Sequence, residues 1–381
     1  MKTIYFDYNA TTPLDPAVKA AMLPFFVEIW GNPSSVHHIG QRARSLLDDA
    51  RDRVASVFRS KPSEIIFTSG GTESNNLAIF GSAHLLLHKG RHLITSQIEH
   101  HAVLHCFQYL ERKEGFEVTY LPVSSDGLID PETLNSAIRP DTIFASLMAA
   151  NNETGTIQPI AALGEICRSH GVVFHSDAVQ WFGKQPFESI HQFNADLVSV
   201  CSHKFHGPKG AGALFIRSPL LPDPIIFGGG HENERRAGTE NLPAIIGLTE
   251  AVERFFKKPV FPAEKMSALS SDLIRLIDSL DGVSFRGSRT ARLTNTVAFT
   301  VSGADSIALL AGLDMEGICA SSGSACSAGS LEPSHVMLAL GVESGPANSL
   351  VRFSLGRDST ADELSTVKEI LPHVINLARK R

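Results

Sequence analysis

The sequence predicts an α/β fold: a large domain whose mainly parallel β-sheet is flanked by helices, followed by a smaller α+β domain. Two observations carry this. From about residue 63 to 217, short β-rich runs alternate with segments that are apolar at helical spacing. Those runs are also near-continuously apolar rather than alternating, the pattern of strands covered on both faces. A proline-flanked break near residues 258–262 then separates this stretch from a shorter mixture of helices and strands.

In chain order, the runs EIIFTSG, RHLITSQI, FEVTYLPV, TIFASLMAA, VVFHSDAV and DLVSVCSHK read as strands, bounded by turn residues. Between them, TESNNLAIFGSAHLLLHKG and AALGEICRSHG read as helices. In parallel sheets ligands bind beyond the C-terminal ends of the strands, so residues there are the first candidates for a site. The helical run PAIIGLTEAVERFFKK ends at a hinge containing Pro259 and Pro262. Beyond it come a helix in EKMSALSSDLIRLIDSL, strands near VSFRG, NTVAFTV and LVRFSLG, and a closing helix from about Thr360. No internal repeat or low-complexity tract interrupts the chain.

With 381 residues, of which 43% are hydrophobic and 19% charged, the chain can fill two cores and has the balance of a soluble protein. The formal charge of -6 is spread over both signs, and no Lys/Arg cluster is long enough to track a phosphate backbone. Nucleic acid is therefore not an expected partner. The N-terminus lacks the pattern of a signal peptide, and no apolar run approaches a membrane span, so no membrane association is expected. Five cysteines, with no CxxC pair, fit a reducing, cytoplasmic compartment.

Four segments carry candidate chemistry. Thr68-Ser69-Gly70-Gly71-Thr72 follows a strand and opens a helix, where glycines and free N–H groups attract an anion; the plainer reading is a turn capped by Thr72. In SVCSHKFHGPKG, a lysine past a strand and before Gly-Pro can point into a crevice, lose proton affinity and form a Schiff base; Lys204 and Lys209 both qualify. Asp177 ends VVFHSD, where a carboxylate can keep a heterocyclic nitrogen protonated or simply cap a helix. Cys326 stands alone among Gly, Ser and Ala in SSGSACSAGS, as an incidental thiol or a nucleophile that must travel. The other four cysteines read as small core residues. His84 and His88, and the cluster His100, His101 and His105, lack partners at metal-ligand spacing, and no resident metal is expected.

Together these segments resemble the cysteine desulfurases of the NifS/IscS group, within the class V aminotransferases. The resemblance runs essentially end to end, through DYNATTPLDP, GNPSSVHHIG, FTSGGTESNNLAI, EHHAVL, NNETGTIQPI, SDAVQ, SHKFHGPKG, RRAGTEN, SSGSACSAGSLEPSHV and VRFSLG. It implies a type I fold that binds pyridoxal 5'-phosphate, a homodimer, and a division into residues 15–257 and residues 1–14 with 258–381. The smaller part would carry a mobile cysteine loop at about 321–331.

The resemblance selects Lys204 as the Schiff-base lysine. Asp177 matches the partner of the pyridine nitrogen and Gln180 the neighbour of the ring hydroxyl. His100 matches the imidazole that stacks on the cofactor and shuttles protons. Asn152 would stand near the ring oxygen and the substrate carboxylate, and Arg352 would pair with that carboxylate. Gly71, Thr72, His203 and a residue at position 201 would hold the phosphate, with Thr239 lent by the other subunit. Here the position usually held by Ser is Cys201, a weaker hydrogen bonder, and Ser202 is a substitute only if strand alternation allows it. His231 stands where many relatives carry Gln.

The implied reaction takes sulfur from L-cysteine, leaves alanine, and stores the sulfur as a persulfide on Cys326. A sulfur-acceptor protein such as an iron–sulfur scaffold would receive it, with Cys326 as a transient cluster ligand. The chain ends at LARKR, short of the extension that IscS-type members turn towards their scaffold, so the resemblance gives no expectation of contact through that tail. A selenocysteine or cystine lyase on the same scaffold would not need Cys326, and a binding scaffold without turnover would not need the whole set of site residues.

Overall fold

The computed structural model describes residues 3–323 and 332–379. Cys326 therefore lies outside the described residues. Strands β1 (Ile4–Tyr5), β2 (Ile65–Thr68), β3 (His92–Ser96), β4 (Glu117–Leu121), β5 (Thr142–Ser146), β6 (Val173–Asp177), β7 (Leu197–Cys201) and β8 (Gly212–Ile216) come first. They are followed by β9 (Val283–Arg286), β10 (Thr296–Val301), β11 (Ile318–Cys319) and β12 (Val351–Ser354).

The large sheet has the order β2-β8-β7-β6-β5-β3-β4. All its strands run the same way except β8, which is antiparallel to both neighbours. β8 was not among the runs read as strands, and its direction follows from the chain: too few residues separate it from β7 for a crossover helix. β2, β3, β5, β7 and β8 are buried at every position, as their unbroken apolar runs require. β4 closes one edge and exposes Glu117.

The other edge is β2, and a buried ion pair covers it. The Ile65 carbonyl accepts from Arg51 Nη1 at 2.7 Å, and the Phe67 N–H donates to Glu232 Oε2 at 2.8 Å. Arg51 and Glu232 complete the arrangement as a two-pronged pair at 2.8 and 2.6 Å. Backbone groups that would otherwise offer a template to another strand are thus satisfied within the chain.

The second sheet is antiparallel, in the order β12-β10-β9. Helices Ala263–Ser279, Ser306–Met315 and Ala361–Arg379 pack on it around a core containing Val297, Phe299, Phe353 and Leu371. Ile4 and Phe6 from the chain's start belong to this same core. β1 pairs in parallel with β11, and Asp7 bridges to Ser354, so the first residues run from the second sheet straight towards the loops of the first. Among the described residues, no helix is long and apolar enough to cross a membrane.

Candidate active site

The loops after β2, β3, β5, β6 and β7 open on one end of the large sheet, where Arg352 of β12 meets them. They surround a cavity of about 230 Å3, open at its mouth, with the concave form of small-molecule and cofactor sites. Gly71, Thr72, His100, Asn152, Asp177, Gln180, Cys201, His203, Lys204 and Arg352 all line it. Residues spread over nearly 300 positions of sequence thus converge on one space.

Lys204 reaches the cavity because β7 ends in a short 3-10 turn, Ser202–Lys204, before the chain reverses into β8. Its Nζ donates to the carbonyls of Asn9 and Ala10, each at 2.8 Å. Burial lowers its pKa to about 8, with Arg352 adding repulsion, so the amine sheds its proton far more readily than a surface lysine. Lys209 is exposed. His203 bonds Thr11 Oγ1 through Nδ1 at 3.2 Å, and burial, with Lys204 nearby, takes its pKa down to about 4.

Asp177 ends β6 with both oxygens engaged: Oδ1 accepts from the Val179 N–H at 3.0 Å, and Oδ2 from Asn75 Nδ2 at 2.7 Å. Gln180 follows one turn later, with its Nε2 donating to the Asn9 carbonyl at 2.9 Å. Helix Gly71–Leu86 aims its N-terminus into the cavity. Gly71 is needed there because a Cβ would lie 2.7 Å from Val179 Cγ2. The helix is capped by Gly70 with no side-chain bond, so the expected Thr72 cap is corrected: Thr72 lies inside the first turn, free to face a ligand.

His100 caps helix His101–Glu114, and its Nδ1 accepts from the Ala102 N–H at 3.1 Å. A backbone amide can only donate, so Nδ1 holds a lone pair and the proton sits on Nε2. Burial, with Lys204 close by, also depresses its pKa. In this geometry His100 is a neutral ring offering a donor. A shuttling role requires it to release Ala102 first, which sharpens the expectation from sequence.

Arg352 is 1% exposed. Its Nη2 pairs with Asp7 Oδ1 at 2.8 Å, and Nη1 donates to the carbonyls of Asn152 at 2.9 Å and Gly323 at 3.0 Å. Its Nε is buried, with no partner among the described residues.

Two predicted residues do not face this space. Ser202 turns away, as strand alternation requires, and its hydroxyl is taken up by the carbonyls of Pro208 and Ala211. It cannot replace the side chain at position 201, and that expectation is corrected. Cys201 itself is in place and lies beside Gly70 and Gly71; burial pushes its thiol pKa up, so it stays neutral. Thr239 is exposed and lines a separate cleft with Ser69, Arg236 and Glu240.

The histidines also resolve. His84 pairs with Glu114 at 2.7 Å, a partner that local spacing could not reveal, and His88 lies beyond the end of its helix. Among the described residues no group of side chains could hold a metal ion.

Sequence reasoning gave no role to Asn9, Asn75 or Lys184. Asn9 and Asn75 sit within motifs that the resemblance quoted, DYNATTPLDP and FTSGGTESNNLAI. Lys184 lies outside every quoted motif, so no signal marked it.

Comparison with known proteins agrees with this geometry. Residues 4–367 match the family described as aminotransferase class-V. The chain is 45% identical over 379 residues to a cysteine desulfurase IscS of Dictyoglomus turgidum, covering 99% of this chain and 96% of that one. A solved NifS-like protein superposes with a TM-score of 0.91 at 36% identity, covering 99% of this chain and all of that one. A solved structure of SspA in complex with cysteine gives 0.82 at 37% identity, covering 94% of this chain and all of that one.

Members of this family work through pyridoxal 5'-phosphate. The groups present fit it: a readily deprotonated amine, a carboxylate held by two donors, a glycine-lined helix N-terminus and a guanidinium on the cavity wall. By sequence, by fold and by the chemistry of its cavity, this chain belongs to the class V aminotransferase family of pyridoxal-phosphate enzymes.

Proposed function

We propose that the chain is a cysteine desulfurase, taking sulfur from L-cysteine and passing it on as a persulfide. The observation that carries this is the cavity that holds the Lys204 amine, the Asp177 carboxylate and the buried Arg352 together. The cysteine bound in the related SspA structure and the desulfurase names of the relatives support the choice of substrate.

When bound, pyridoxal phosphate supplies an aldehyde on an electron-withdrawing ring, which makes bonds at a joined amino acid's α-carbon, and then its β-carbon, breakable. The protein's part follows from its own groups. Lys204 would anchor the aldehyde, and its free amine would be a base of suitable pKa for the α-proton. Asp177, its carboxylate fixed by Asn75 and Val179, would keep the ring nitrogen protonated. Gly71, Thr72, His203 and Cys201 would hold the phosphate, with Thr239 lent by a second subunit. His100 would stack on the ring, and Gln180 and Asn152 would serve its oxygen side. Arg352, which lines the cavity, would receive the substrate carboxylate.

The Cys326 thiolate attacks the substrate sulfur. The Cβ–S bond breaks, an S–S bond forms, and the β-carbon takes a proton, so cysteine and a thiol become alanine and a persulfide. Cys326 follows Gly323, whose carbonyl touches Arg352, by three residues.

The same reading includes a homodimer, a cytoplasmic setting, a sulfur-acceptor protein such as an iron–sulfur scaffold, and division of the chain at residues 14/15 and 257/258. It also leaves Cys326 as a transient cluster ligand. The test is to purify the protein, look for the yellow of bound cofactor, and measure alanine and sulfide from L-cysteine plus a thiol reductant. Lys204→Ala should lose the coloured adduct. Cys326→Ala should keep the colour and lose the persulfide on that residue. Normal persulfide turnover in Cys326→Ala would remove it as the nucleophile, and a colourless protein that stays so with added cofactor would sink the reading. Sedimentation should give a dimer.

A further inference from the structure

Beneath the cavity lies a second lysine that the mechanism does not use. Lys184 is 3% exposed and stands four residues after Gln180. Its Nζ donates to Gln180 Oε1 at 2.5 Å and to Asn9 Oδ1 at 2.9 Å. Both contacts run from Nζ to an amide oxygen, which can only accept, so Lys184 acts here as a donor. Burial, reinforced by Lys204 and Arg352, holds its pKa well below that of an ordinary lysine.

Two contacts decide which way the Gln180 amide faces: Lys184 donates to Oε1, and the Asn9 carbonyl, which can only accept, faces Nε2. With Oε1 taken by Lys184, the NH2 end lies opposite, and one of its hydrogens goes to the Asn9 carbonyl. The remaining hydrogen is left for the cavity that Gln180 lines. A Gln free to rotate could present either its oxygen or its nitrogen; this one is committed.

We propose that Lys184 is a positioning residue: by occupying the amide oxygens of Gln180 and Asn9 from below, it holds Gln180, together with the Asn9 carbonyl, as a hydrogen-bond donor, so that the site selects a ligand presenting an acceptor oxygen there. The ring oxygen of pyridoxal phosphate is such an acceptor. The inference rests on the reading of this cavity as the pyridoxal-phosphate site. Its second arm holds Asn9, whose carbonyl bonds both Gln180 and Lys204.

The test compares two ligands, pyridoxal phosphate and its analogue lacking the ring hydroxyl, titrated into cofactor-free protein and followed by absorbance. Wild type should bind the analogue about tenfold more weakly, the effect of one good hydrogen bond to a charged group. Lys184→Met, of similar volume but unable to donate, should bind the two within about twofold of each other. Lys184→Gln, which keeps a donor, should recover part of the discrimination. A purely structural lysine would lower the melting temperature in both variants and leave the ratio of the two affinities untouched.

If Lys184→Met does not fold, Lys184→Ala leaves the same oxygens without a donor and is read in the same way. A folded Lys184→Met that discriminates like wild type overturns the inference, as does a wild type that binds both ligands equally. A wild type that binds neither overturns the reading of the cavity, and the inference with it.

Discussion

Lys204 shows what a side chain's surroundings do that its type does not. Its pKa of about 8 arises chiefly from burial, so the amine is protonated below pH 8 and increasingly neutral above it. In cofactor-free protein its reaction with an amine-selective aldehyde should rise through a midpoint near pH 8, while exposed lysines rise near 10.4. Peptide mapping after labelling at pH 7.5 should find Lys204 modified well ahead of Lys209. Glu99 is the converse case. Burial, with Asp177 adding repulsion, raises its pKa to about 8, and its Oε1 accepts from Ser96 and from the Met148 N–H while Oε2 has no partner among the described residues. The folded protein therefore holds a proton that the unfolded chain gives up near pH 4.5, so stability falls as pH rises from about 4.5 through 8. Glu99→Gln, permanently neutral, should lose less melting temperature than wild type between pH 6 and 9; an equal loss would remove Glu99 as the cause. Neither value was legible in the sequence. From residues alone Lys204 and Lys209 were equivalent, and what separates them is that one meets the carbonyls of residues 9 and 10, nearly two hundred positions away.

Elements were more legible, because their signal is local. The six apolar runs became β2 to β7, and the helix after Gly71 starts where the glycines placed it. β8 is as long as its neighbours, but nothing local in GALFI shows that it pairs with β2, about 150 residues earlier. The turn between Gln180 and Lys184 depends on Gly183, and this can be tested. Gly183 has φ of 74°, and a Cβ there would lie 2.4 Å from Phe205 Cβ, beside Lys204. Gly183→Ala should lose about 2–4 kcal/mol, from the left-handed backbone and from overpacking together. The measurement is a fall in the denaturant midpoint at an unchanged m-value. Because the displaced Phe205 adjoins the anchor, the folded fraction should also retain cofactor less well. A variant as stable as wild type would mean that the turn can relax, and that the 2.4 Å separation overstates its rigidity.

At the scale of the whole molecule, two sheets with separate cores must behave as one body around the cavity, and Asn9 is where they meet. Its side chain uses all four of its hydrogen-bond positions: Nδ2 donates to the Asn152 carbonyl and to Thr296 Oγ1, and Oδ1 accepts from Lys184 and Asn295. Its backbone N–H donates to Ser354 Oγ, and its carbonyl receives Gln180 and Lys204. Asn152, Gln180, Lys184 and Lys204 come from loops of the large sheet; Asn295, Thr296 and Ser354 belong to the small one. The motif DYNATTPLDP marked this stretch, but a single asparagine gives no sign in sequence of what it will join. Asn9→Ala keeps the backbone bonds and strips the side-chain ones, leaving several buried polar groups unpaired at about 1–3 kcal/mol each before relaxation. The two cores themselves are untouched by the change. The loss should therefore fall on their coupling, and calorimetry of Asn9→Ala should show a broadened or divided transition where wild type gives one. Lys184 would lose an acceptor at the same time, so cofactor retention should weaken along with the coupling. A single sharp transition, merely shifted to lower temperature, would instead place Asn9 as an ordinary buried residue and leave the union of the two sheets to their apolar contacts.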